Sequence, residues 1–530
     1  MTSNSNVDPG TLDAPPISEA DHQPGEAHPR RWQILGIMCS CLVLVVAGVS
    51  SLNIAIPPII SDLQPSSTEL LWIVDSYALV FAGLLLPAGA LGDRYGRKGA
   101  LLIGLGIVTA GALWSSQADT AVQLIAARAS MGVGAAFVMP ATLSIIVSVF
   151  PAHERGKAIA MWAGFAGAGG AIGTIGAGVL LQWFSWASVF FINVPLALAA
   201  MTMIALRVPS SRDDEATPLD PIGSVLSIAG LVTLVYAIIE GGDAGWTEPT
   251  TVGAFGAAVV LLAAWLVWES RTTNPMLDPS LFKLPRFALG SLTIASGFAV
   301  MFGMFFLIIQ YFQFVLGVSP LEAGLRNLPF PITMILVSPR APVLVTKLGT
   351  RKAVALGLLI QAAGFGLLSQ LDRETPYLLA AAGMVLLAAG MAIIMPPSSE
   401  AIVSSLPPNK AGVGSAWNDT TREVGGALGI AVMGTLLAST YRSSLRPVLD
   451  ALPEEAREVA NEGVGGALRV AEGASVPDLV PAAQAAFLDG MQVAFLAAVG
   501  LTLVTAVVIA VRYPADEARH ESQHRRGSEQ

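Results

Sequence analysis

Charge is what this sequence has least of. Asp, Glu, Lys and Arg make up 13% of its 530 residues, about half the share found in soluble domains. A chain that poor in charge cannot cover a water-facing surface, so lipid is its expected solvent. It holds two cysteines, Cys39 and Cys41, in one apolar stretch. Two positions apart on a helix they point different ways, which excludes a disulfide between them. None of the five histidines falls in an apolar stretch, which excludes a histidine proton relay. No long basic run is present, so nucleic acid is not an expected partner. The Gly-x-x-x-x-Gly-Lys-Ser/Thr phosphate loop is missing, which argues against a nucleotide-driven pump. No His or Cys cluster has metal spacing. No cofactor, metal or enzymatic activity is therefore expected.

What the chain has is apolar length: 53% of it is hydrophobic, with 53 glycines to let helices approach closely. A spanning helix needs about 20 mostly apolar residues. Such stretches are read at 33–59, 70–91, 98–117, 121–148, 158–181, 186–206, 222–241, 250–268, 287–316, 322–346, 353–371, 375–403, 411–440 and 488–511. Residues 158–206 carry no charge and exceed one span, so a turn is expected near Gln182 to Ser185. The fold class is thus all-α integral membrane, with fourteen transmembrane helices.

Orientation follows from the basic residues of short loops. With the N-terminus inside, inner loops hold Arg94, Arg97, Lys98, Arg155, Lys157, Arg207, Arg212, Arg271, Lys283, Arg286, Lys347, Arg351, Lys352 and Lys410, while outer ones hold only Arg373 and Arg326. Both termini are then cytoplasmic. The polar residues 1–31 lack the pattern of a cleaved signal peptide and read as a disordered cytoplasmic tail; 513–530 is a second tail. Residues 441–487 fall outside, are rich in Glu, and are long enough to cover the outer mouth or to form a solvated linker.

An internal repeat shows in two inner loops. One reads Gly92-Asp93-Arg94-Tyr95-Gly96-Arg97-Lys98 and the other Val345-Thr346-Lys347-Leu348-Gly349-Thr350-Arg351. Basic, bulky, Gly and basic recur, but the acid has become Thr346. The spacing suits a six-helix bundle at 32–207, a linker at 208–285 with an inserted helix pair, and a second bundle at 286–512 that includes the outer segment 441–487. Two halves around a central site is a transporter architecture.

The run from Gly89 through Gly92, Asp93, Arg94, Gly96 and Arg97 resembles the signature loop of the major facilitator superfamily. Arg128-Ala129-Ser130-Met131-Gly132-Val133-Gly134, followed by Pro140, is similar to that superfamily's helix-four motif, with Met131 where Gln is usual. Helix five carries Gly169, Gly173, Gly176 and Gly178 and resembles the glycine-rich antiporter motif of drug exporters, with Thr174 in place of its Pro. Asn53-Ile54-Ala55-Ile56-Pro57 and Phe190-Phe191-Ile192-Asn193-Val194-Pro195 match as well. With the inserted pair, residues 32–512 resemble the fourteen-helix drug:proton antiporter family, built as a major facilitator fold. The resemblance implies a monomer in a lipid bilayer that exchanges a small-molecule substrate for protons. Its helix-one Asp is replaced here by Gly48, which puts the coupling carboxylate in question.

An ionisable residue at mid-bilayer costs about 2.5–3.5 kcal/mol, so those present are functional candidates. They are Asp75, Arg128, Arg340, Glu400, Asp419, Arg422 and Glu423. Asn418, Asp419, Arg422 and Glu423 lie three and four apart and share a helix face, so Asp419 can pair with Arg422. Proton coupling is assigned to Asp75, Arg128, Asp419, Arg422 and Glu423. Asn53, Trp72, Tyr77, Trp162, Phe165, Gln310, Tyr311, Gln313 and Asn418 are expected to line the substrate cavity. The glycine stripe of helix five is expected either to slide between the halves or to pack statically. The function expected is export of hydrophobic or amphipathic molecules by proton antiport. A dedicated metabolite or anion exporter, or coupling to another ion, stays open because Arg128 remains and the helix-one Asp does not.

Overall fold

The computed structural model describes residues 28–210, 220–273, 275, 278–406, 411–449, 452–473 and 478–514. The tails expected at 1–31 and 513–530 lie almost wholly outside the described residues, as does the side chain of Asp93.

Every regular element among the described residues is helical. The first half comprises α1 (Arg31–Leu63), α2 (Ser67–Tyr95), α3 (Arg97–Ser115), α4 (Ala121–Val149), α5 (Ala152–Leu180), α6 (Ala187–Phe191) and α7 (Asn193–Arg207). The inserted pair is α8 (Pro221–Asp243) and α9 (Pro249–Arg271). The second half holds α10 (Pro285–Gln310), α11 (Pro320–Arg326), α12 (Pro329–Val337), α13 (Ala341–Leu348), α14 (Thr350–Leu368), α15 (Tyr377–Ser404), α16 (Ala411–Leu449), α17 (Glu454–Asn461), α18 (Val464–Gly473) and α19 (Leu479–Arg512). Thirteen stretches among the described residues are long and apolar enough to cross a membrane. With 29 residues, α5 adds a fourteenth helix of spanning length, about 44 Å at the helical rise.

The helices alternate in direction. The end of the bundle that holds Arg31 and Arg512 is the base here; the end that holds α17 and α18 is the crown. The expected turn after helix five is present at 181–186. The stretch expected at 322–346 is broken into α11, α12 and α13, because Pro329 and Pro339 withhold N–H groups at the breaks. At the crown α16 runs nine residues past 440 and α19 begins nine before 488. Part of the outer segment is therefore a continuation of spanning helices, and α17 and α18 lie between.

The repeat extends through the fold. Ser66 caps α2 with Glu69 reaching back, and Ser319 caps α11 in front of Glu322, 253 positions on. The loop glycines Gly96 and Gly349, also 253 apart, take positive φ of 122° and 80°, which only glycine does at little cost. Lys98 Nζ donates to the Ala205 carbonyl at 2.9 Å, and Arg351 donates to the carbonyl of Ala510. Each cation satisfies orphan carbonyls at the end of its half's last helix. Within each half α1 packs on α5 and α10 on α16. A Cβ on Gly173 would lie 2.6 Å from Ala47 Cα, and one on Gly429 2.5 Å from Ala299 Cα. Side chains there would drive the backbones apart.

The two halves meet at the crown. Gly178 of α5 sits on Leu321, whose Cα lies 2.7 Å from an added Cβ, and Gly434 of α16 sits on Leu71 of α2. The last turn of α1 accepts from Arg469 Nη1 at the Ile60 carbonyl, 3.1 Å away. The Ser67 amide and hydroxyl both donate to Glu462, the amide at 2.7 Å to its carboxylate. Residues 462–469 therefore lie across both halves and do not form a free linker. The inserted helix α8 packs on both α2 and α16. Ile228 fills the space beside Gly83, and Thr435 Oγ1 donates to the Ile238 carbonyl at 3.4 Å.

Candidate functional site

Polar side chains buried in an apolar bundle identify the site, since each is costly there without a partner. Arg128 of α4 is 1% exposed. It cannot reach solvent, so the snorkelling available to a peripheral arginine is not used. Its Nε donates to the Ile73 carbonyl of α2 at 3.2 Å. Its guanidinium carbon lies 4.6 Å from the centre of the Tyr77 ring, a contact worth about 2 kcal/mol when desolvated. Nη1 has no hydrogen-bond partner.

Opposite, α16 brings three charges to one face. Asp419 Oδ1 accepts from Arg422 Nη1 at 3.2 Å, the pairing expected from their spacing. Arg422 also lies over the Phe298 ring of α10, 4.7 Å from its centre. Glu423 is 9% exposed. The helix that carries Tyr77, α2, packs on both α4, which carries Arg128, and α16, which carries Glu423. Asn418, Thr420 and Thr421 are buried beside this cluster, each with an unpaired oxygen.

Asp75 is fully buried and both its carboxylate oxygens lack hydrogen-bond partners. Helical spacing puts it on the side of α2 that carries Leu71, which faces Gly434 of α16. It therefore points toward the α2–α16 joint, nearer the crown. Arg340 and Glu400, the two remaining candidates, are both exposed.

The expected cavity residues divide. Trp162 is buried and its Nε1 donates to Thr142 Oγ1 at 3.3 Å. Phe165 is 43% exposed, and Asn53 and Trp72 are half-buried. Three others make hydrogen bonds near the crown. Gln310 donates to its own helix at Phe306. Tyr311 Oη donates to the Asp372 carbonyl at 2.8 Å. Gln313 Nε2 donates to the Ile54 carbonyl of α1 at 3.3 Å. Gln310 is the last residue of α10, and the helix widens just after it, at Tyr311–Val315.

The helix-five glycines divide too. Gly169 and Gly173 close on Val43 and Ala47 of α1, inside the first half, Gly176 faces open space, and Gly178 alone touches the second half. α5 also meets the second half through Thr174, which lies beside Gly324 of α11, and packs on α12. In the base loop Gly89 rests on Pro140, Gly92 packs by Ala100 at the start of α3, and Arg94 is exposed over Tyr95. Gly96 closes α2, and Arg97 opens α3. Sequence reasoning missed Phe298 and Arg469. An aromatic among 20 phenylalanines carries no signal, and Arg469 is one of four arginines in the segment 441–487.

The Major Facilitator Superfamily model matches residues 38–430. The chain is 36% identical over 493 residues to the multidrug efflux pump LfrA of Mycolicibacterium smegmatis, covering 91% of this chain and 96% of that one. It is 34% identical to the methyl viologen resistance protein SmvA of Salmonella typhimurium, over 90% of this chain and 97% of that one. A tetracenomycin C resistance and export protein of Streptomyces glaucescens is 31% identical, over 90% and 91%. Among solved structures, a bacterial homolog of the human lysosomal transporter Spinster, inward-facing and unoccupied, superposes with a TM-score of 0.66 at 17% identity, covering 94% of this chain and 99% of that one. The family match across most of the chain and relatives above 30% identity over nine-tenths of it agree with the two-half helical fold: the chain belongs to the major facilitator superfamily.

Proposed function

We propose that the chain exports hydrophobic or amphipathic small molecules, drugs and antibiotics among them, in exchange for protons. The observation that carries this reading is the buried Arg128–Tyr77 stack of the first half on helices packed against α16, which carries the Asp419–Arg422 pair and the buried Glu423 of the second half. Titratable groups of both halves are buried where a membrane protein gains nothing in stability from them. Names of relatives support the substrate class: multidrug efflux, methyl viologen resistance, and tetracenomycin C resistance and export.

Residues 32–207 and 286–512 act as two bodies that rock about the site. The bias of basic residues toward the base supports a cytoplasmic base and cytoplasmic termini. The protein is then inward-facing, with its crown closed, and works as a monomer in a lipid bilayer. Substrate enters from the base and displaces a proton from Glu423 or Asp75; a proton taken up from outside displaces the substrate after the crown opens. Each proton that moves inward supplies about 2.3 kcal/mol per 100 mV of membrane potential. The base loop with Asp93, Arg94 and Arg97 controls the inner gate.

The test is proton movement in proteoliposomes loaded at acid pH and offered a panel of dyes and antibiotics. Substrate-dependent collapse of the pH gradient is expected. A folded protein that gives no response with any compound contradicts proton antiport. A second reading, export of an anionic compound, is favoured by the unpaired Nη1 of Arg128. It requires anionic dyes to collapse the gradient and cationic dyes to leave it intact.

A further inference from the structure

The closed crown holds two helix defects that face each other across the halves. Pro57 and Pro58 lie inside α1. Pro58 has no N–H, so the carbonyl of Ile54, four residues earlier, loses its helical donor. Ile54 is fully buried, and an orphan carbonyl there would be costly. Its donor comes from the other half, as Gln313 Nε2 at 3.3 Å.

Gln313 can reach because α10 is also defective at that height. Leu316 N–H bonds back five residues to the Tyr311 carbonyl, and Val318 N–H six residues to that of Phe312. Such wide turns loosen the ladder and redirect side chains. The turn is tied from behind, with Tyr311 Oη on the Asp372 carbonyl and Gln484 Nε2 on the Phe314 carbonyl at 2.8 Å. The pairings of Gly173 with Ala47 and Gly429 with Ala299 set the register of the repeat. In that register Pro58 corresponds to Gln310, the residue just before the wide turn. Each half interrupts its helix at the same level, one by proline and one by widening.

We propose that Gln313 and the Ile54 carbonyl form the latch of the crown, a positioning contact that breaks whenever the protein opens outward. The latch is uncharged: an amide donates to a backbone carbonyl that proline has left available. Its strength is that of one buried hydrogen bond, small enough to break in each cycle. The inference rests on the rocking motion proposed above.

The experiment places spin labels at Ser185 and Glu374, exposed crown positions in opposite halves, with Cys39 and Cys41 replaced by serine. Pulsed distance measurements are made on the full chain in lipid, with and without a transported dye. Gln313→Met, of similar size without a donor, is expected to raise the ratio of long to short distances by about fivefold, the worth of one hydrogen bond. Pro58→Ala restores an N–H that competes for the Ile54 carbonyl; it acts on the same bond should Gln313→Met fail to fold. The double variant is expected to show no more than the larger single effect, since both remove one bond. Variants that keep the wild-type ratio, or that add independently, overturn the latch while the wild type still shows both distances. A wild type with a single distance under every condition overturns the rocking motion and the latch with it.

Discussion

The two halves of this protein share their packing and differ in their chemistry. Glycines, caps and helix-end cations recur at offsets of 253 to 256: Ser66 with Ser319, Gly96 with Gly349, Lys98 with Arg351, Gly173 with Gly429. The buried charges do not recur. In the same registers Arg128 corresponds to Met384, Asp75 to Leu328, and Asp419, Arg422 and Glu423 to Ala163, Ala166 and Gly167. What is duplicated holds the helices together; what is not duplicated is the candidate machinery. The site is therefore found by asking where the repeat fails.

The comparison is broken most sharply by giving the first half the second half's residue. Arg128→Met should lower dye efflux roughly 10- to 100-fold, the worth of a hydrogen-bonded buried charge, in cells matched for protein level. Unchanged efflux would show the broken symmetry to be idle. Next come the duplicated glycines. Gly173→Ala and Gly429→Ala should each destabilise by about 1–3 kcal/mol, as overpacked sites do, while Gly176→Ala, which faces open space, should be neutral. Thermal unfolding in detergent ranks them, and equal losses at all three would remove the packing argument. Smallest are Lys98→Met and Arg351→Met. Each should cost about 0.3–1 kcal/mol at low salt and the two should match within error; a large loss from only one would mean that the cations have different tasks.

Much of this was legible in sequence because membrane chains write their constraints plainly. Charge poverty, apolar length and basic loops gave the helix number, and Gly92-Asp93-Arg94 with Arg128 gave the family. The spacing of Asp419 and Arg422 gave their pair. Partners across helices were not legible. Nothing adjacent in sequence tells Arg128 to stack on Tyr77 or Arg422 on Phe298. The crown partners of Tyr311 and Gln313 were not legible either, because no residue marks the widened turn that presents them. Pro58 did carry a signal, since it had to leave the Ile54 carbonyl seeking a donor, but not which donor. Asp75 and Glu423 both satisfied the rule for a membrane carboxylate, and only their surroundings separate them: Glu423 shares a helix face with the Asp419–Arg422 pair, while both oxygens of Asp75 lack partners.

The central claim is that substrate and proton compete at the unduplicated charges. Its most direct measurement is proton release from purified wild type, Asp75→Asn and Glu423→Gln in weakly buffered detergent on adding a saturating cationic dye. The account predicts about one proton released per dye bound by the wild type. It predicts loss of that release in at least one variant that still binds dye. Release that is absent from the wild type, or unchanged in both variants, would contradict it.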